Sequence, residues 1–258
     1  DDIFKMSAPR EMICAPIFHV FESDVIVSYN VCQFIIERGN KAIDERGHFF
    51  IGLSGGSAAK FLCNDLPKFE TDWSKWKVFF CDERHVPHDH PECTYKYYRD
   101  NLMSKEKVTL NQENIFPDNP SVDVERAAEE YSEKLMSAFP EGTVPQFDLL
   151  LLGMGPDGHT CSLFPSHPLL EEKTKLVAAI RDSPKPPPER ITLTFPVINN
   201  ARAAVFVSCG EGKAEMVKRV TEGTDQPLLP ASRVKPNQGE LHWFLDKGAA
   251  GLINAASL

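Results

Sequence analysis

Several absences narrow the possibilities for this chain. No apolar run in its 258 residues approaches the ~18 consecutive positions that a membrane-spanning helix needs. The opening residues, DDIFKMSAPR, contain no basic segment followed by an apolar one, so they do not read as a secretion signal. Residues 1–10 are expected to stand apart from the folded body. There is no Cys-x-x-Cys, and the seven cysteines (Cys14, Cys32, Cys63, Cys81, Cys93, Cys161 and Cys209) are scattered and odd in number. That pattern argues against a disulfide framework and against zinc held by cysteine alone. It fits free, buried thiols in a reducing compartment, and a cytoplasmic location is expected. Basic residues are in deficit, 28 against 37 acidic ones, for a net charge of −9. A general nucleic-acid or anionic-membrane binder is therefore not expected, whereas an anionic small molecule can be met by a few local cations. The phosphate-loop signature of nucleotide triphosphatases and the Gly-x-Ser-x-Gly nucleophile elbow are both missing.

The rest is ordinary for a globular protein, with 42% hydrophobic and 25% charged residues. No repeat, low-complexity tract or break in composition divides the chain, so one domain over residues 1–258 is expected. Strand-like and helix-like segments alternate along it. Residues 13–21 read as an edge strand because Pro16 removes a ladder donor. Residues 22–46 carry Ile26, Val27, Val31, Phe34, Ile35 and Ile43 at helical spacing. Buried strands are expected at 48–53, 76–81, 147–152, 175–180, 191–195, 203–208 and 241–245. Helices are expected at 58–66, 94–103, 122–139, 213–220 and 246–256, with a polar connector at 111–121. This alternation predicts an α/β fold, a single doubly wound, mostly parallel sheet with helices on both faces.

The segment with the most chemistry is FDLLLLGMGPDGHTCSLFP, residues 147–165. An apolar run long enough for one buried strand empties into a loop with Gly153, Gly155 and Gly158, followed by Asp157 and His159 two residues apart. Gly153 to Gly158 formally match a dinucleotide fingerprint. That reading needs an acidic residue at the end of a second strand about 20 residues on, and Glu171 and Glu172 follow no strand. The glycines are better read as a turn that aims His159. A structural or capping histidine is the alternative to a catalytic one, and an imidazole titrating near pH ~6.5 suits a general base.

Three other strand ends carry polar groups. Ser54-Gly55-Gly56-Ser57 opens a helix and serves equally as an anion cradle or as a plain βα turn. Asp82-Glu83-Arg84 follows WKVFFC, and Gly210-Glu211-Gly212-Lys213 follows AAVFVS. The segment DSPKPPPER, with four prolines in nine residues, cannot be helical. It sets Lys185 and Arg190 on a stiff loop, where cations lose less entropy on clamping an anion. His85, His88 and His90 invite a metal reading, but Pro87 and the polar surroundings favour solvated loop histidines, and no metal site is assigned. If the strands run parallel, these ends share one edge of the sheet. Anion nests, the cations Arg84, Lys185, Arg190 and Lys213, the carboxylates Asp82 and Asp157 and one imidazole would then meet there. That set suits a small phosphorylated substrate handled by acid–base chemistry with water.

Five motifs in order, LSGGS, FFCDERHVP, LLLGMGPDGHTCSLFP, SPKPPPERITLTFPVIN and GEGKA, closely resemble the 6-phosphogluconolactonases from about residue 48 to residue 213. The resemblance implies a Rossmann-like sheet similar to that of glucosamine-6-phosphate deaminase. It also implies hydrolysis of 6-phosphogluconolactone to 6-phosphogluconate in the pentose phosphate pathway, with no cofactor. In that reading His159 takes a proton from the attacking water and Asp157 orients the imidazole. Gly55, Gly56 and Ser57 hold the phosphate with some of Arg84, Lys185, Arg190 and Lys213. Asp82 orients sugar hydroxyls or fixes Arg84. The implied partner is a phosphorylated sugar lactone, met by a monomer with no nucleic acid or membrane involved. Two features depart from the family: Ala58-Ala59 stand where many members have Thr-Pro, and Cys161 stands where many have alanine, as a small packed side chain. The rival readings are a sugar-phosphate isomerase or deaminase using Asp82 as base, and a sensor without turnover.

Overall fold

The computed structural model describes residues 14–254. The expectation for residues 1–10 and the last two positions of the expected terminal helix lie outside that range. Ten strands are present among the described residues: β1 (Pro16–Phe21), β2 (Phe49–Leu53), β3 (Trp76–Phe80), β4 (Asp82–Arg84), β5 (Ile115–Phe116), β6 (Leu149–Leu152), β7 (Val177–Ile180), β8 (Arg190–Leu193), β9 (Ala203–Ser208) and β10 (Glu240–Asp246). The helices are α1 (Asp24–Arg46), α2 (Ser57–Asp65), α3 (Thr94–Tyr98), α4 (Val124–Ala138), α5 (Phe195–Ile198), α6 (Ala214–Glu222) and α7 (Lys247–Ala250). None is long and apolar enough to cross a membrane.

Seven strands form one sheet in the order β1-β10-β9-β6-β2-β3-β5, and all its neighbours run parallel. Strands buried on both faces have no polar side, and period-two alternation sends successive residues to opposite cores. Phe49, Ile51, Leu53, Leu149 and Leu151 pack with α1 and α2 on one face. Phe50, Leu150, Leu152 and Phe206 pack with α4 and α6 on the other. The doubly wound, mostly parallel architecture expected from the sequence is what forms, with β1 on the edge as Pro16 requires.

Two of the expected strands lie elsewhere. β7 and β8 pair antiparallel with each other and with β4 in a separate sheet, ordered β4-β8-β7. The reason lies in the connection. Parallel neighbours need a crossover of a dozen or more residues, usually helical, and the proline segment between β7 and β8 is too short and cannot be helical. It closes a hairpin, with Ile180 opposite Arg190. The connector at 111–121 also holds β5, too brief to show a period. The helix expected at 94–103 is α3 followed by a wider π-type turn over Arg99–Met103.

The chain passes from the large sheet to the small one at Phe80–Asp82, and Tyr131 of α4 pins that point. Its buried hydroxyl accepts from Phe80 N at 2.7 Å and donates to Phe80 O at 3.1 Å. Tyr131→Phe removes both bonds and is expected to cost about 1–3 kcal/mol, read as a lower urea midpoint with an unchanged denaturant slope.

Candidate active site

From β2 the chain moves outward to β3 and β5, then returns to the other side of β2 as β6. The strand order therefore reverses between β2 and β6, where open α/β sheets leave a crevice at their carboxyl ends. The loops after β2 and β6 open there, and those after β3 and β9 flank them. Gly55, Gly56, Ser57, Asp82, Arg84, His159, Arg190 and Lys213 line one cleft. Asp157 and Lys185 stand beside the imidazole.

The loop after β6 is shaped to seat His159. Gly155 N donates to His159 O at 2.9 Å and Gly158 N donates to Gly155 O at 3.0 Å, which folds the loop back on itself. The imidazole lies flush against Gly155: a Cβ there would be 2.0 Å from His159 Nδ1 and 2.8 Å from Asp157 Oδ1. His159 Nδ1 is 2.5 Å from Asp157 Oδ1. A carboxylate only accepts, so Nδ1 carries the proton and Nε2 keeps its lone pair. The Phe164 ring packs on the imidazole with centroids 4.7 Å apart. Burial is the main influence on His159 and pushes its pKa down; Asp157 pulls it up, Lys185 pushes it down again and Asp82 pulls it up, leaving it below the ordinary imidazole value. Burial pushes the Asp157 carboxyl up, but the bond and charge of His159, with Lys185, hold it below its usual range.

The second loop is the start of α2. Its N-cap is Gly56, at φ 84°, a conformation that favours glycine. No side chain caps this helix and its first turn holds no acidic residue, so its leading N–H groups stay available to an anion. Beside it, Ser54 Oγ is buried in the cleft wall with no hydrogen-bond partner among the described residues.

The small sheet brings cations to this edge. Arg84 and Arg190 are cross-strand neighbours in the β4–β8 pair, a like-charge juxtaposition that is unfavourable unless something anionic relieves it. Arg84 Nη1 donates to Glu92 Oε2 at 2.9 Å and Glu92 O at 3.1 Å. Its guanidinium is therefore steadied by Glu92; Asp82 instead accepts from Ser162 Oγ at 2.8 Å. Arg190 is 3% exposed and donates to Pro187 O, Lys185 O and Pro186 O. Burial, then the neighbouring Arg84, pushes its pKa down. Lys213 Nζ donates to Met154 O at 3.1 Å. Among the described residues, Arg190 and Lys213 thus meet carbonyls and no carboxylate, which leaves net positive charge in the cleft of an acidic protein.

One sequence reading changes. His85 and His88 are not simply solvated: both bond the buried Asp118, through His85 Nδ1 at 3.2 Å and His88 Nε2 at 3.1 Å. His85 Nε2 also meets Val122 O, so the pair fastens the loop after β4 to the connector. Ser162 carries no local sequence signal; only its contact with Asp82, eighty positions away, marks it. Cys161 is buried at φ 50°, and Cys81 beside it and burial push its pKa well up, in keeping with a packed thiol.

The family described as glucosamine-6-phosphate isomerases/6-phosphogluconolactonase matches residues 23–243. The chain belongs to that family. It is 48% identical over 241 residues to 6-phosphogluconolactonase of Rattus norvegicus, covering 91% of this chain and 93% of the rat protein. The structure of 6-phosphogluconolactonase from Trypanosoma brucei superposes with a TM-score of 0.81 at 26% identity, covering 93% of this chain and 99% of that one. A monomeric glucosamine-6-phosphate deaminase shares the fold, with a TM-score of 0.73 at 19% identity over 91% of this chain and 99% of its own. The family holds both chemistries, and the relatives that are 48%, 45% and 47% identical to this chain are 6-phosphogluconolactonases.

Proposed function

We propose that this protein hydrolyses 6-phospho-D-glucono-1,5-lactone to 6-phospho-D-gluconate, with residues 1–258 acting as one domain, a monomer in the cytoplasm. The observation that carries the reading is an imidazole in a cation-lined cleft with Nδ1 on a carboxylate and no hydrogen-bond partner on Nε2 among the described residues. Nε2 takes a proton from water as the water attacks the lactone carbonyl, and Asp157 steadies the imidazolium that forms. The tetrahedral oxyanion needs donors aimed at it, which the loop N–H groups and neighbouring cations supply. His159 then returns its proton to the departing ring oxygen, so one residue serves as base and acid. The phosphate sits at Gly55, Gly56 and Ser57 with Arg84, Arg190 and Lys213. Asp82, which accepts from Ser162, accepts from sugar hydroxyls in this reading.

The test generates the lactone in place from glucose 6-phosphate and its dehydrogenase. Hydrolysis is expected well above the spontaneous rate, and incubation with glucosamine 6-phosphate is expected to release no ammonia. Ammonia release without lactone hydrolysis would move the protein to the isomerase and deaminase side of its family. Binding of 6-phosphogluconate with neither reaction would make it a sensor.

A further inference from the structure

We infer that Lys185 is a positioning residue that holds the Asp157–His159 pair in its working arrangement, with Nδ1 donating to Asp157 and Nε2 free, rather than a ligand of the substrate phosphate. The inference rests on the lactonase reading for its kinetic test but not for its spectroscopic one.

Lys185 Nζ is 3.5 Å from Asp157 Oδ1 and 3.4 Å from His159 Nδ1. An ammonium has donors only. Nδ1 is already committed as a donor, so the group that can receive Lys185 is the Asp157 carboxylate. Asp157 Oδ1 then serves two donors at once, and a charge-assisted contact of this kind favours the ionised carboxylate. An ionised Asp157 requires Nδ1–H, and that tautomer leaves the lone pair on Nε2. The same positive charge opposes formation of imidazolium in the free enzyme.

The proline loop brings the ammonium to this place. Ser183 Oγ donates to Lys185 O at 2.7 Å and accepts from Lys185 N at 3.2 Å. Arg190 adds its bonds to the carbonyls of Lys185, Pro186 and Pro187. The Arg190 guanidinium lies 5.8 Å from the centre of the Phe164 ring, the ring that packs on His159. Loop and base are therefore referenced to the same pair of side chains. This accounts for a buried arginine whose bonds go to loop carbonyls.

The charged groups around His159 are Asp157 on its own loop, Lys185 on the proline loop and Asp82 on β4, with Arg84, Arg190 and Lys213 lining the same cleft. Asp157 and Asp82 favour the protonated ring and Lys185 opposes it. Removing the lysine charge therefore raises the pH at which His159 gives up its proton. The acid limb of kcat/KM, which reports free-enzyme ionisations, moves up with it.

The experiment compares wild type, Lys185→Met and Lys185→Arg in two measurements. In the free protein, histidine ring protons are titrated by NMR, and the His159 signal is the one missing from His159→Gln. In the lactone assay, kcat/KM is followed against pH. For Lys185→Met the His159 titration and the acid limb are both expected to move to higher pH. At a pH on that limb its rate falls roughly 3–10-fold below wild type. Lys185→Arg is expected to return both curves toward wild type. A Lys185→Met protein whose titration stays with wild type overturns the inference, and a raised KM with an unmoved limb would make Lys185 a phosphate ligand instead. If wild type fails to hydrolyse the lactone, the functional reading falls while the NMR titration still decides this one.

Discussion

His159→Ala is expected to lower lactone turnover about 10²–10⁴-fold, the usual worth of a positioned general base, with a much smaller change in KM. The imbalance follows from the layout of the cleft. In the proposed reading the imidazole meets the attacking water, whereas the phosphate is met by the start of α2 and the cations that line the same cleft. Binding therefore survives and proton transfer does not. The alanine also leaves Asp157 beside Lys185 alone, a surface-type pair already present, so the fold should tolerate it. Wild type and variant are run side by side against the spontaneous rate. Equal acceleration by both would move the base elsewhere, with Asp82 the first candidate, since it lines the same cleft. A variant that loses turnover but still binds 6-phosphogluconate would agree with the assignment.

The second large effect needs only one methyl group. In Gly155→Ala the new Cβ would fall 2.0 Å from His159 Nδ1 and 2.1 Å from Cε1, well inside contact distance, so the ring must swing away. Gly155 does not have the positive φ of Gly158 or Gly56, so the damage falls on the His159 ring and on the Asp157 carboxylate that holds it, 2.8 Å from the new Cβ. Misplacing a catalytic group by about 1 Å costs on the order of 10²-fold, and a loss of that size in kcat is expected. The melting temperature should stay within a few degrees of wild type, since no core residue moves. Full activity would mean that the working imidazole does not rest against Gly155.

What was legible in the sequence was local. A buried strand announces itself by an unbroken apolar run, as in LLLL before Gly153, and a turn by its glycines. The helix-forming and proline-bearing segments likewise carry their signals within a few residues. Alternation of strand and helix then implied a doubly wound sheet, and a parallel sheet necessarily gathers its strand ends on one edge. His159, Asp157, Gly55, Gly56 and Lys213 are therefore legible from the sequence as groups at one edge of the sheet.

Tertiary structure decided everything that depends on the register between distant segments. Nothing near Asp82 indicates that Ser162 will hold it or that Thr192 will lie opposite. Nothing near His85 points to Asp118. Arg84 and Arg190 become neighbours only because the proline loop closes a hairpin against β4, and that same hairpin carries Lys185 to Asp157. The sequence alone determined which groups would be available at one edge of one sheet, because local propensity and burial act over a few residues. Which of those groups touch was set by cross-strand pairing and loop closure, which no local pattern encodes.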